Sequence, residues 1–157
     1  MRSRWMGLIA VILVVASASG CRRIPDKIQD RADVEQVFHR YLQSINAADV
    51  TLASEAWLQS PDVLVVTPVG RFQGWNGVKE IYANMRTGFT TRNVQASNVS
   101  LVVTGDAAWL VYDFVYTATR TDGQPLIAKG WESHGYQRTA NGWRIAQLHY
   151  SVPPPPL

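Results

Sequence analysis

The second half of the chain constrains the fold most, because extended runs alternate there with turn signals. Four such runs lie between residues 92 and 151, and they are separated by Gly105-Asp106, Thr121-Asp122-Gly123 and Asn141-Gly142. Glycine next to Asn or Asp favours the tight turns of β-hairpins. The pattern therefore predicts four successive strands of an antiparallel sheet.

The last run shows which side chains would share a face. Successive side chains of a strand point to opposite faces of the sheet. Strict alternation places one set on the first face, namely Trp143, Ile145, Gln147, His149 and Ser151. The other face then carries Arg144, Ala146, Leu148 and Tyr150.

The first half of the chain is helical in its periodicity. One apolar stripe predicts an amphipathic helix from near Asp30 to near Ala48, formed by Val34, Val37, Phe38, Tyr41, Leu42 and Ile45. Asp49 is suited to cap a second, shorter helix with an apolar face of Leu52, Ala53, Ala56 and Trp57. A β-branched strand at 63–67 follows, and Val78, Ile81, Tyr82 and Met85 predict a third helix that ends at Gly88.

These elements predict an α+β domain in which three N-terminal helices pack in a curved antiparallel sheet. The sheet can bury the apolar stripe of the first helix by wrapping around it, which leaves a conical interior that is closed at one end and either open or closed at the other. We place this domain at residues 30–152. The proline-rich tail, residues 153–157, cannot continue the sheet because proline lacks a backbone N–H.

The N-terminus is typical of an export signal and not of a fold. Arg2 and Arg4 precede an apolar run that is too short to cross a bilayer, and small residues lead to Cys21. Ala18-Ser19-Gly20-Cys21 resembles the lipobox of bacterial lipoproteins, which implies a signal peptide at 1–20, acylation of Cys21 and a tether at 21–29. The alternative is ordinary cleavage after Ala18, which would leave Cys21 as a free thiol.

The lipobox resemblance also implies a location and a first partner, the lipid bilayer. Because Arg22 and not Asp follows Cys21, sorted lipoproteins of this type imply the outer membrane, facing the periplasm, if the source has two membranes. Loss of residues 1–20 would leave 137 residues and lower the net charge from +3 to about +1, because Arg2 and Arg4 are removed. No block of like charge remains, which argues against nucleic-acid binding.

Several short motifs carry a family resemblance. Phe38-His39-Arg40-Tyr41-Leu42, Thr67-Pro68-Val69-Gly70, Gly74-Trp75 and Gly142-Trp143-Arg144-Ile145, in this order of elements, resemble the nuclear transport factor 2-like superfamily and within it the SnoaL-like domains. The resemblance covers about residues 30–152 and implies a cone-shaped fold that often forms homodimers. It specifies the fold better than the activity, since the superfamily holds isomerases, cyclases, dehydratases and binding domains.

The resemblance allows a comparison with ketosteroid isomerases residue by residue. Tyr41 matches their helix-1 tyrosine, but Thr67 stands where the general-base aspartate precedes the Pro-Val-Gly turn, and a threonine hydroxyl has no useful basicity near neutral pH. At the late-strand acid, Ser133 aligns best, although a slip of one residue would place Glu132 there. That isomerase mechanism is therefore not expected.

The candidate ligand pocket consists of Tyr41, Trp57, Trp75, His134 and His149. His134 and His149 lie on strands expected to be adjacent, so with Tyr41 they would form a polar group at the ligand end of the cone. The alternative for His149 is a structural role near the end of the sheet. Two strand histidines without a spaced carboxylate or thiolate fall short of a metal site, so no metal is predicted. The sequence also lacks a glycine-rich phosphate loop, so no cofactor is predicted.

Two classes of function follow from the sequence. The favoured one is a membrane-anchored binding module at the cell envelope that holds a small hydrophobic ligand or a protein partner. The alternative is a small cofactor-independent enzyme of the isomerase, cyclase or dehydratase type. One side of the strand carries Trp109, Val111 and Val115 and the other Leu110, Tyr112, Phe114 and Tyr116, so neither side is polar. Whichever side faces outward is therefore expected to be buried, which predicts a homodimer through the outer face of the sheet.

Overall fold

The computed structural model describes residues 27–154. Within them lie three helices and six strands: α1 (Lys27–Ala47), α2 (Val50–Ala56), β1 (Leu64–Thr67), β2 (Gly70–Gln73), α3 (Gly74–Gly88), β3 (Phe89–Thr104), β4 (Ala107–Arg120), β5 (Pro125–Thr139) and β6 (Gly142–Ser151). The predicted signal segment, Cys21 and the last three residues lie outside the described residues. None of the helices within 27–154 has the length and apolarity needed to cross a membrane.

The helices form as the periodicity predicts, with one difference at the start of α1. Its apolar stripe is buried at Val34, Phe38 and Tyr41, and the Asp49 side chain accepts hydrogen bonds from the first backbone N–H groups of α2. However, α1 begins at Lys27, so the end of the predicted 21–29 tether is helical. Asp30 is buried and forms an ion pair with Arg138 on β5, which fastens this first turn to the sheet.

The strands form a single sheet in the order β2-β1-β6-β5-β4-β3. The four predicted strands β3 to β6 are successive antiparallel neighbours, whereas β1 lies parallel to β6. Strand β2 was not predicted. It folds back on β1 across the turn at Pro68 and Val69, and four residues are too few to show an alternating pattern.

A β-bulge in β6 makes the predicted division of its faces wrong. Gly135 lies opposite Gln147 but Tyr136 lies opposite Ile145, so Ala146 is an extra residue without a partner. The bulge shifts the alternation by one residue. Trp143 and Ile145 point inward as predicted, but beyond Ala146 it is Leu148 that is buried, and His149 is exposed on the outer face.

The inner face of the sheet changes from sealed to partly open along the strands. At one end, the sealed end, Ala108, Leu110 and Tyr136 are almost fully buried against α1. At the other, which we call the open end, Val94, Tyr116 and Ala128 lie side by side and are only half-buried, whereas Ala118 beyond them is buried again. Between the two ends, Glu132 on β5 lies opposite Tyr112 on β4 and Tyr150 on β6, and this row marks the boundary. This row positions the candidate site.

Candidate functional site

The site is built on alternate residues of β5 that point into the cone. Glu132, His134 and Tyr136 are all buried there. The Nε2 atom of His134 lies 2.7 Å from Oε1 of Glu132, and its Nδ1 atom lies 2.9 Å from the Tyr136 hydroxyl. The pleat of β5 turns Ser133 outward and Glu132 inward, so the structure fits the alternative that places Glu132 at the late-strand acid position and not the one that places Ser133 there.

Two further tyrosines converge on the same carboxyl group. The Tyr112 hydroxyl on β4 donates to Oε1 of Glu132 at 2.6 Å. Tyr41 on α1 packs against His134 beside this carboxyl group, and the negative charge of Glu132 acts on its hydroxyl. We call Tyr41, Tyr112, Glu132, His134 and Tyr136 the interior cluster.

Burial separates the roles of Glu132 and His134. Aromatic rings surround the imidazole, and the ring centroid of Tyr41 lies 4.6 Å and that of Phe38 5.8 Å away in edge-on contacts. His134 is 1% exposed, whereas Glu132 keeps 8% of its surface accessible. A molecule that entered from the open end would therefore meet Glu132 first, and His134 would act on it only through Glu132.

The cluster keeps its phenols neutral. Burial, followed by the negative charge of Glu132, raises the pKa of Tyr41 and of Tyr112 well above the ordinary value of 10.0. The same two causes raise the pKa of Tyr136. These hydroxyl groups thus act as hydrogen-bond donors or acceptors near neutral pH and not as phenolates.

Three of the five predicted pocket residues meet in the interior. Trp57 packs edge-on against Tyr41, with ring centroids 6.1 Å apart, and Tyr41 packs against His134. His149 lies on the outer face instead, because of the bulge at Ala146. Trp75 is half-buried and lines a surface cleft with Pro61 and Gln73, away from the interior cluster.

Sequence reasoning missed Tyr112 and Tyr136 and named Glu132 only as the alternative to Ser133. A signal for Glu132 and Tyr136 was present, because residues two apart on a strand share a face, so placing His134 in the pocket places both of them there as well. Tyr112 could not be found in this way. It reaches Glu132 through the pairing of β4 with β5, in which the two residues lie directly opposite each other.

Two other polar side chains, those of Thr67 and Asp113, form hydrogen bonds away from the interior cluster. The Thr67 hydroxyl donates to the Gly70 carbonyl in the β1–β2 turn. Asp113 on β4 accepts a hydrogen bond from Asn98 on the outer side of the sheet. Within residues 27–154, no group of three or more His, Cys, Asp and Glu side chains is placed to hold a metal ion.

Solved structures share this architecture. An NTF2-like superfamily protein from Salmonella enterica serovar Typhimurium LT2 is 31% identical, with a TM-score of 0.79 over 82% of this chain and 94% of that chain. Hexachlorocyclohexane dehydrochlorinase LinA-type3 from Novosphingobium barchaimii LL02 is 14% identical, with a TM-score of 0.72 over 81% and 88% of the two chains. A protein described as a candidate dehydratase of the NTF2-like family, from Streptomyces avermitilis, is 18% identical, with a TM-score of 0.72 over 80% and 97%.

The comparisons by sequence address the family directly. A comparison with curated proteins gives no significant match. The family model of the SnoaL-like domain, however, matches residues 34–155, which span α1 to the end of the sheet and include the whole interior cluster. The chain therefore belongs to the SnoaL-like domain family of the NTF2-like superfamily.

Proposed function

We propose that this protein is a lipid-anchored binding module of the cell envelope, which holds a small, largely apolar molecule in its cone with the polar end of that molecule at Glu132. One observation carries the binding function: a hydrogen-bonded carboxyl group stands at the boundary between the sealed and open ends. Binding pockets combine an apolar wall with a few convergent polar groups. Here the wall is formed by half-buried Val94, Tyr116 and Ala128.

Access to Glu132 requires some movement at the open end. Tyr150 lies opposite Glu132, and Tyr116 lies two inward-facing positions beyond Tyr112 on the next strand. Both rings are only half-buried, so their displacement exposes little additional protein surface. We propose that these two rings cover the ligand or give way to it.

Mass spectrometry of molecules that co-purify with residues 22–157 tests the binding function. This fragment retains the core, because every residue of the buried cluster lies between Val34 and Leu148. The wild-type fragment should release a small apolar compound on denaturation, and Glu132→Gln should release much less of it. Glu80→Gln, on the exposed face of α3, is the matched control and should leave the amount unchanged. Equal amounts in all three proteins would contradict the assignment of the site.

The second candidate function is a cofactor-independent proton transfer, as in isomerisation or elimination. The specific observation in its favour is the 2.7 Å contact between Glu132 and His134, because a carboxylate held in place by an imidazole N–H can take up a proton from a ligand as a general base. The solved structures of similar fold include a dehydrochlorinase and a candidate dehydratase, which makes this chemistry the one to test.

Deuterium exchange separates the two functions. If the co-purified compound has an acidic C–H group, an enzyme of this type should exchange that hydrogen with D2O, as followed by proton NMR, and Glu132→Gln should stop the exchange. A binding module should retain the compound without exchange. Exchange that persists in Glu132→Gln would assign the chemistry to other residues.

The anchor is proposed from the lipobox-like sequence. Replacement of Cys21 by Ser should abolish labelling with palmitate and leave the precursor uncleaved, because Cys21 is the only cysteine in the chain. Membrane fractionation would then test the proposed position in the outer membrane, facing the periplasm. Palmitate on the Cys21→Ser protein would contradict the lipoprotein assignment.

A further inference from the structure

We propose that the Glu132 end of the cone selects ligands that carry a hydroxyl or amine donor and rejects carboxylates. This inference deepens the proposed binding function and rests on it. It follows from two properties of the interior cluster: the direction of its hydrogen bonds and the sign of its charge.

The hydrogen bonds leave acceptor capacity at Glu132. Oε1 receives the Tyr112 hydroxyl and faces the His134 Nε2 atom, and the Tyr136 hydroxyl is occupied by His134 Nδ1. A carboxylate has about four acceptor positions on its two oxygens, so it retains room for a donor from a ligand. A ligand oxygen that needs a donor from Tyr112 or Tyr136 finds those two hydroxyl groups already committed.

The charge of the site never favours an anion. Among residues 27–154, the ion-pair partner of Glu132 is His134, and no Lys or Arg side chain lies within ion-pair distance of it. The pair carries a net charge of −1 if His134 is neutral and zero if it is protonated. In neither state does a net positive charge compensate a ligand carboxylate for the hydration that it loses on burial.

The cation on the inner side of β3 is too far away to change this balance. Arg92 lies opposite Ala118, which is six residues beyond Tyr112 along β4, a separation of roughly 20 Å at the usual rise of a strand. Its Nη1 atom donates to the carbonyl groups of Met85 and Phe89 at the end of α3. Arg92 therefore stabilises the end of that helix, and its charge acts on Tyr116 at the open end, on the far side of that ring from Glu132 along β4.

Three probes of the same shape test the selection. Titration calorimetry of residues 22–157 at pH 7 would compare 2-naphthalenemethanol, 2-naphthylmethylamine and 2-naphthoate. The alcohol and the amine should bind, and the acid should bind at least about tenfold more weakly, because its charge is not compensated. Glu132→Gln should narrow the gap between alcohol and acid to about threefold or less, since the amide removes the negative charge and presents a donor.

Each outcome decides a different point. If the acid binds wild-type protein as tightly as the alcohol, the selectivity is wrong although the cone binds ligands. If the gap persists unchanged in Glu132→Gln while its circular dichroism matches wild type, Glu132 is not the cause and the inference is overturned. The control Glu80→Gln should keep the wild-type preference. If no probe binds, the binding function itself is contradicted, and the inference fails with it.

Discussion

His134 is the most constrained side chain of the interior cluster, because both of its ring nitrogens have fixed partners. Glu132 accepts a hydrogen bond from Tyr112 at the same oxygen that faces Nε2. As an acceptor it requires Nε2 to carry the proton, and Nδ1 of the neutral ring then accepts from the Tyr136 hydroxyl. Tyr136 thus acts as a positioning residue that holds His134 in one tautomer.

Replacement of Tyr136 by Phe tests this arrangement. We expect the ¹⁵N resonance of Nδ1 to shift, while Nε2 remains protonated and bonded to Glu132. The free energy of unfolding should fall by about 1–3 kcal/mol, because a buried acceptor loses its donor. Nitrogen-15 NMR of labelled histidine gives the first quantity and urea denaturation the second. A wild-type spectrum with the proton on Nδ1 would contradict the proposed direction of the hydrogen bonds.

At the level of single residues, the sequence predicts what local spacing determines. Tyr41 lies on the apolar stripe of α1 and packs edge-on against His134, so these two predicted residues are in contact in the interior. The role of Glu132 depends instead on which face of β5 is covered. The chemistry of the site was therefore readable only once strand pairing had fixed that face.

At the level of elements, the junction of β5 and β6 depends on a glycine. A Cβ atom at position 130 would lie 1.9 Å from the Ser151 carbonyl oxygen and 3.1 Å from the Phe114 ring. The obstruction at Ser151 is backbone, which cannot move aside as the end of a flexible side chain can. Close approach of the final strand to β5 thus requires the absence of a side chain at Gly130.

Gly130→Ala should therefore destabilise the domain. We expect a loss of about 1–3 kcal/mol in the free energy of unfolding, typical of overpacking, because the end of β6 must shift. Gly88→Ala is the matched control, since nothing lies within 4 Å of a Cβ atom at that position. It should change the stability by no more than about 1 kcal/mol, in the stabilising direction, because alanine favours the helix over glycine. Equal thermal denaturation curves for the two variants would refute the proposed steric role.

Most elements were predictable because their signals are local. Helical spacing, the Asp49 cap and the glycine turns all act within a few residues, and the corresponding helices and hairpins are present. The parallel pairing of β1 with β6 joins segments about 80 residues apart, which no local pattern specifies. The bulge gives a weak signal in the sequence. The apolar residues Trp143 and Ile145 stand at odd-numbered positions, whereas Leu148 and Tyr150 stand at even-numbered positions, so the alternation changes phase between them.

At the scale of the whole molecule, buried phenols limit stability at high pH. Burial chiefly raises the pKa of Tyr82 from 10.0 to about 12. The folded state then holds this proton more tightly than the unfolded state. Its contribution is fully present below about pH 10 and is lost as the pH rises through about 12, with a slope of up to about 1.4 kcal/mol per pH unit.

Urea denaturation between pH 9 and pH 12 measures this loss. Stability should fall steeply above pH 10, because the pKa values of Tyr41, Tyr112 and Tyr136 are also raised. Tyr82→Phe should reduce the slope relative to wild type, since one titrating group is removed. A profile that stays level up to pH 12 would show that the phenols reach solvent.

The outer face of the sheet gives the prediction of a homodimer its physical basis. Trp109 is 49% and Trp131 53% exposed on this face, and the exposed side chains of Val102 and Val111 lie next to Trp109. Apolar surface of this extent favours burial against a second copy. The fragment 22–157 should sediment as a dimer at micromolar concentration, and Trp109→Lys should make it monomeric. Val69→Lys, in the exposed β1–β2 turn, is the control and should stay dimeric. A monomeric wild-type protein would contradict this proposal.

The unpaired residue in β6 allows this strand to change length by one residue without a change of faces. Loss of the single codon for Ala146 would place Ile145 and Gln147 in direct succession, still opposite Tyr136 and Gly135. Leu148 would then stay in the cone and His149 on the surface where a second copy is proposed to bind, because the strict alternation that remains is the one that these residues already follow. Homologous sequences that lack one residue at this point are therefore expected to keep both the binding site and the assembly surface.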